Sequence, residues 1–221
     1  MTFVKKRILF LAAFVIVGVL VIGSCSPLGN RNVDDSDSEG STINEKSDQL
    51  YVDLGLPSGL LWGTRNIGAT SQEDYGSYYA WGEVSEKSAY NKDNYAYAEN
   101  PAELPSDDDI AAITLGRGWR MPTKADFDEL KANCKCERYT LNKVKGCLVT
   151  GPNGNSIFFP AAGYYFDTHV FGLNTDCYYW SSSLMVDHKE YAWVLYLGSS
   201  AFVINMYDRH YGRPVRPVFQ R

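Results

Sequence analysis

The chain is poor in several things that would narrow its function. It has three histidines, His169, His188 and His210, far apart and without a His-Glu-x-x-His pattern, so no zinc-ligating spacing is present. It has no Gly-x-Ser-x-Gly elbow around Ser181-Ser182-Ser183, which argues against a serine nucleophile; their hydroxyls are read instead as capping a turn after a buried Trp180. It has no fixed-period repeat. It has fewer bases than acids, 21 Lys+Arg against 26 Asp+Glu, which removes the basic footprint that nucleic acid requires. It has one long apolar run, Ile8–Ile22, and no second segment apolar enough to span a bilayer.

That run is preceded by Lys5, Lys6 and Arg7, and it ends in Val21-Ile22-Gly23-Ser24-Cys25. A basic start, a short apolar stretch and small residues before a cleavage point define a secretory signal. The ending resembles the bacterial lipobox, which implies cleavage after residue 24 and acylation of Cys25. The competing reading is an uncleaved anchor, since 8–24 reaches the roughly seventeen residues that can span. Each buried methylene contributes roughly 0.8 kcal/mol, so two or three acyl chains hold a protein firmly on a membrane. Residues 1–24 carry three bases and no acid, so without them the net charge falls from −5 to −8, which also disfavours docking on anionic lipid.

Residues 25–49 contain only Leu28, Val33 and Ile43 as sizeable apolar groups, with Asp34, Asp35, Asp37 and Glu39 close together. Too little can be buried there to offset the entropy of ordering, so this is a tether, reaching on the order of 25–30 Å as a flexible coil. The acidic run resembles surface-export signals of Bacteroidetes lipoproteins and equally suits a solvated spacer. The expected location is the outer membrane, lipid-anchored, at the cell surface or on the periplasmic face.

Residues 50–221 suffice for one domain and contain all 16 tyrosines and all five tryptophans. Two helices are expected. Ser106–Asp109 offers an N-cap before Ile110–Ile113, with Gly116 as the stop. Thr123 and Asp126 form a capping-box variant before a helix that buries Phe127 and Leu130 and ends near Asn133. The remainder reads as short strands. Leu148–Thr150 and Ser156–Phe159 flank an Asn153-Gly154 turn, and Tyr191–Leu197 and Ala201–Tyr207 flank Gly198-Ser199-Ser200. The prolines in Arg213–Phe219 confine that segment to an edge. The class is α+β.

Several phrases then match one family in order from 51 to 218: Val52–Trp62, Tyr75–Glu83, Gly118–Thr123, Val149–Asn155, Phe159–Gly163, Tyr179–Ser182 and Tyr211–Val218. Together they resemble the Fibrobacter succinogenes major paralogous domain of Bacteroidetes lipoproteins. That family is in turn similar to the C-type lectin-like fold, shared with formylglycine-generating enzymes. The resemblance implies two short helices, short antiparallel strands, long loops, and paired N- and C-terminal strands, with ligands met by the far loops. Calcium lectins of this fold use a Trp-Asn-Asp phrase; here Trp180 precedes three serines. Formylglycine-generating enzymes hold copper on a C-terminal cysteine pair, and no cysteine follows Cys177.

The expected function is therefore a cell-envelope lipoprotein presenting a non-catalytic binding or adhesion module for a glycan or protein, without cofactor. An enzyme of the formylglycine-generating type and a purely structural envelope component are the alternatives. Beyond Cys25, the even set Cys134, Cys136, Cys147 and Cys177 permits two disulfides in an oxidising setting, a Cys147 bridge to Cys134 or Cys136 among them, or four free thiols. Two aromatic loops mix rings with polar groups, 163–169 and 205–210. Their candidate ligand-binding residues are Tyr165, Asp167, His169, Tyr207, Asp208 and His210, and the two loops are expected to lie together. Tyr179, Trp180, Trp193 and Tyr211 are expected in the core.

Overall fold

A computed structural model describes residues 50–198 and 201–221. The expected signal segment, Cys25 and the expected tether lie outside the described residues, as do Ser199 and Ser200. The domain is α+β, mostly antiparallel sheet with two helices.

The chain opens with a hairpin of β1 (Tyr51–Asp53) and β2 (Leu61–Gly63), Val52 opposite Trp62. The last strand, β12 (Val218–Phe219), pairs with β2 on one side and with β3 (Trp119–Arg120) on the other, giving the order β1-β2-β12-β3. The first and last described strands thus share a sheet, although the final strand meets β2 rather than β1. The edge expected for the proline-rich end is corrected as well. Pro214 and Pro217 both precede the two paired residues, so neither costs the ladder a donor, and Val218–Phe219 sits centrally.

Helix α1 (Ile110–Leu115) is capped by Asp109, the last residue of the expected Ser106–Asp109 stretch: its carboxylate accepts from the Ala111 and Ala112 amides. The same carboxylate accepts from Met121 N at 2.8 Å, tying the helix start to β3. Helix α2 (Lys124–Asn133) has the capping box, with Thr123 and Asp126 exchanging hydrogen bonds, and buries Phe127 and Leu130. A three-stranded sheet β4-β5-β6 follows, from β4 (Lys135–Leu141), β5 (Val144–Thr150) and β6 (Ser156–Pro160). Its β4–β5 turn uses Asn142 and Lys143, both at positive φ, and its β5–β6 turn is the expected one at Asn153-Gly154.

Then come a small hairpin of β7 (Tyr164–Phe166) and β8 (His169–Phe171) and a sheet of β9 (Cys177–Leu184), β10 (Tyr191–Leu197) and β11 (Phe202–Asp208), ordered β11-β10-β9. One face of that sheet carries Tyr179, Leu195, Leu197 and Ile204 against Phe127 and Leu130 of α2, with Trp62 and Phe159 completing the cluster. Trp62 stacks on Phe127 at 6.0 Å, and Phe159 meets Tyr179 edge-on at 5.0 Å. The opposite face carries Trp180, Val194 and Ala192 into a second cluster with Tyr79, Trp81 and Met121. Ser181 and Ser183 lie within β9 rather than in a turn. Ser181 Oγ donates to the Trp193 carbonyl at 2.9 Å, and Ser183 Oγ accepts from Lys124 N, so these hydroxyls serve packing.

Candidate functional site

Strand alternation sends neighbouring tyrosines to opposite faces. Of Tyr178 and Tyr179, the second enters the core and hydrogen-bonds Pro160 O, while the first turns to the other face. Of Tyr164 and Tyr165, the second wedges between Tyr78 at 4.8 Å and Tyr90 at 5.7 Å. The first stacks on Tyr211 at 5.6 Å and on Phe171 at 5.7 Å and meets Tyr178 edge-on at 5.1 Å. Tyr178 in turn packs on Tyr196, its cross-strand partner, at 4.8 Å and edge-on against Tyr207 at 5.6 Å. Phe166 adds to the other end, 5.1 Å from Tyr211 and 6.5 Å from His210. The result is one connected aromatic face, on which Phe166 and Phe171 are 43% and 46% exposed.

Two glycines allow this assembly. Gly163, at φ 63°, lets the chain turn where a Cβ would meet the Phe171 carbonyl, and a Cβ at Gly212 would press into the Tyr90 ring. Gly212 exchanges backbone hydrogen bonds with Tyr165, and Arg213 does so with Tyr79. The segment after residue 210 is thereby threaded beside the β7–β8 hairpin, and the Arg213 side chain is driven beneath the tyrosines.

Arg213 is fully buried. Its guanidinium carbon lies 4.4 Å from the Trp180 ring, 4.7 Å from Tyr207, 5.2 Å from both Tyr164 and Tyr211, and 5.8 Å from Tyr178. None of its three nitrogens finds a hydrogen-bond partner among the described residues. Burial pulls its pKa down to about 10, which still leaves it charged at neutral pH. Two other buried arginines are treated differently. Arg216 donates to Asn66 Oδ1, Gly63 O and Phe158 O at 2.9–3.0 Å. Arg209 donates to Asn100 Oδ1 and to the carbonyls of Tyr97, Glu99 and Lys189. Only electron-rich ring faces hold the Arg213 charge, by cation–π attraction.

The hydroxyls above it are also unengaged. Those of Tyr164, Tyr178, Tyr207 and Tyr211 have no hydrogen-bond partner among the described residues, whereas Tyr196 donates to Asp176 at 2.7 Å. Burial raises the Tyr178 and Tyr211 pKa values, so these hydroxyls are neutral donors and acceptors at physiological pH.

The two segments singled out from the sequence do come together, but as strands and a hairpin rather than loops. Tyr207 belongs to the aromatic face, and Asp208 and His210 border it, Oδ1 and Nδ1 lying 4.0 Å apart. Burial depresses the His210 pKa, against the pull of Asp208. His169 is exposed, sits opposite Phe166 and touches Thr168 Oγ1. Tyr165 is a packing residue. Asp167 is a turn residue at φ 52° that accepts a hydrogen bond from Asn91 and exchanges backbone bonds with Tyr90. Of the four expected core rings, Tyr179 and Trp180 are buried; Trp193 is half-buried under Lys124 Nζ at 4.9 Å, and Tyr211 belongs to the aromatic face. The sequence reading missed Tyr164, Phe166, Phe171, Tyr178, Tyr196 and Arg213. Paired tyrosines on strands were the available signal, since one of each pair must point outward.

All four cysteines of the domain are free thiols, and no grouping of three or more His, Cys, Asp or Glu side chains among the described residues is arranged to hold a metal. A separate cleft of about 420 Å³ lies between Gly82, Val84, Lys87 and Tyr97. Within it Glu83 pairs with Lys87 and accepts from Ala96 N, and Tyr97 donates to Asp108. No described helix is long and apolar enough to cross a membrane. Comparison with protein-family models, with curated proteins and with solved structures found no match to this chain.

Proposed function

We propose that this chain is a lipid-anchored envelope protein whose folded domain is a non-catalytic binding module. The aromatic face of Tyr164, Phe166, Phe171, Tyr178, Tyr207 and Tyr211 is its ligand surface. The observation that carries the reading is this connected, partly exposed set of rings whose tyrosine hydroxyls have no hydrogen-bond partner among the described residues. Ring faces stack on sugar rings or apolar peptide groups while free hydroxyls fix orientation. Packing alone would not need unpaired hydroxyls on a half-exposed face. The ligand is an extracellular glycan or protein, and a C-type lectin-like body of the major paralogous domain kind fits the shared terminal sheet and the wealth of loop. The lipid at Cys25 and its tether would hold this surface away from the membrane.

The test is a glycan and protein array probed with the full chain in detergent, followed by titration of the hit against Tyr207→Ala. An aromatic anchor contributes about 2 kcal/mol or more, so binding should weaken roughly thirtyfold with the melting transition retained. Unchanged affinity, or unfolding by this half-exposed substitution, would overturn the assignment.

A further inference from the structure

One face of the sheet β1-β2-β12-β3 enters the core through Val52, Trp62 and Val218. Cross-strand partners share a face, so Tyr51, Leu61, Trp119 and Phe219 belong to the opposite, outer one. There Tyr51 stacks on Phe219 at 5.3 Å, and the Trp119 ring lies 5.3 Å from Phe219 and 6.1 Å from Tyr51. Gly118 permits this approach, since a Cβ there would sit 2.5 Å from the Phe219 ring. Tyr51 and Phe219 are half-buried, while Leu50 is 49% and Leu115 37% exposed. Leu50, Leu115, Trp119 and Pro217 line a cleft of about 220 Å³ together with Arg65, which donates to Thr70 O. Arg117, between α1 and β3, is exposed and has no hydrogen-bond or ion-pair partner among the described residues. The acid among the paired outer positions is Asp53, whose carboxylate accepts from Gly55 N at the far end of the β1–β2 hairpin.

Leu50, the first described residue, stands at this face, and residues 26–49 join it to Cys25. We propose that the outer face of this sheet rests on the headgroup region of the bilayer that holds the lipid at Cys25. Leu50, Leu115 and the three rings enter that region, and Arg65 and Arg117 meet lipid phosphates; this rests on the lipid-anchor reading. Tyrosine and tryptophan suit such a depth, because each carries one polar group on an apolar ring. A base close to an anionic lipid surface shifts occupancy about fivefold. The negative balance of the whole chain works against recruitment from solution, but this face need not recruit. Acylation already keeps the domain at a high effective concentration beside the surface, so a few weak contacts are enough to set its orientation.

The full acylated chain is reconstituted in vesicles of phosphatidylcholine and phosphatidylglycerol, with the phosphatidylglycerol brominated in its acyl chains or not. Bromine quenches tryptophan at short range, and Trp62, Trp81 and Trp180 are fully shielded, so Trp119 and Trp193 are the reporters. Brominated vesicles should quench the emission, and Trp119→Phe should remove that quenching while Trp193→Phe leaves it. Arg117→Ala should lower the ratio of docked to undocked chains about fivefold, and added salt should act in the same direction. Leu115→Asp, at an exposed position, should undock the face with the melting transition unchanged. No quenching in vesicles would overturn the proposal. So would quenching that survives Trp119→Phe and is lost in Trp193→Phe, since a different face then meets the bilayer. Dimers in sedimentation without quenching would assign the face to a second copy and equally overturn it. Mass spectrometry of the same chain separates the two readings. An acylated Cys25 without quenching sinks the docking alone, whereas a Cys25 free of lipid sinks the anchor as well.

Discussion

Replacing Arg216 and Arg213 by methionine, one at a time, tests whether the two buried guanidinium groups play different parts. Both are fully shielded from solvent, so the desolvation relieved by removing the charge is similar at the two sites and cancels in the comparison. Arg216→Met removes three hydrogen bonds, to Asn66 Oδ1, Gly63 O and Phe158 O. Bonds to a charged group contribute roughly 1.5–3 kcal/mol each, about 4.5–9 in all. Arg213→Met removes no hydrogen bond but four more ring contacts than Arg216 has, since Arg216 lies over Phe159 alone. Because several rings share one cation, each extra contact is taken at about 0.5–1 kcal/mol, or about 2–4 together. Arg216→Met should therefore be the more destabilising, by about 4 kcal/mol at the centre of a range of about 0.5–7, read from urea denaturation midpoints at a common slope. Equal losses, or a larger loss for Arg213→Met, would refute the reasoning and make the ring cage a principal stabiliser of the fold.

Asp109→Ala should destabilise by about 2–4 kcal/mol, because three amides lose one acceptor, and Asp109→Asn should cost less, its amide oxygen still accepting; chemical denaturation of the pair checks this. Burial lowers the His210 pKa below its ordinary 6.5, so the unfolded chain binds a proton there before the folded one does. Stability should consequently fall as pH drops below about 6.5 and level off below the folded value, and His210→Gln should remove that component in denaturation curves taken from about pH 7.5 to about pH 5. Trp180→Ala, in contrast to Tyr207→Ala, should cost roughly 3–5 kcal/mol of stability, since the ring is fully shielded and its Nε1 donates to Tyr79 O.

What could be read from the sequence was local. Thr123 and Asp126 announce α2 because a capping box is settled within four residues, and Asn153-Gly154 announces a hairpin for the same reason. Tyr164-Tyr165-Phe166 and His169-Val170-Phe171 around Asp167-Thr168 are equally local, yet their polar and aromatic mixture equally suits a ligand loop. Asp167 shows why that misleads. A carboxylate beside rings suggests recognition, but here it takes up a left-handed turn position and a bond from Asn91, 76 residues away in sequence. Central placement of Val218–Phe219 depends on β2 and β3, which come from distant parts of the chain, so no pattern within the segment could reveal it.

Arg213 is the residue that local reading was least able to place, and it separates the face from the rest of the fold. An arginine in a Gly-Arg-Pro-Val-Arg-Pro-Val run looks like a solvated base. Its burial follows from the backbone bonds of Gly212 to Tyr165 and of Arg213 to Tyr79, which leave the side chain nowhere to go but beneath the rings. Arg209 and Arg216 bind their neighbourhoods together by saturating carbonyls from several segments. Arg213 saturates nothing and orders five rings around one charge instead. A cation under a set of rings limits their rotation, so, on the proposed reading of this face as a ligand surface, the tyrosine hydroxyls would be presented in a fixed arrangement before a ligand arrives. Preorganisation of that kind lowers the ordering entropy that binding must overcome.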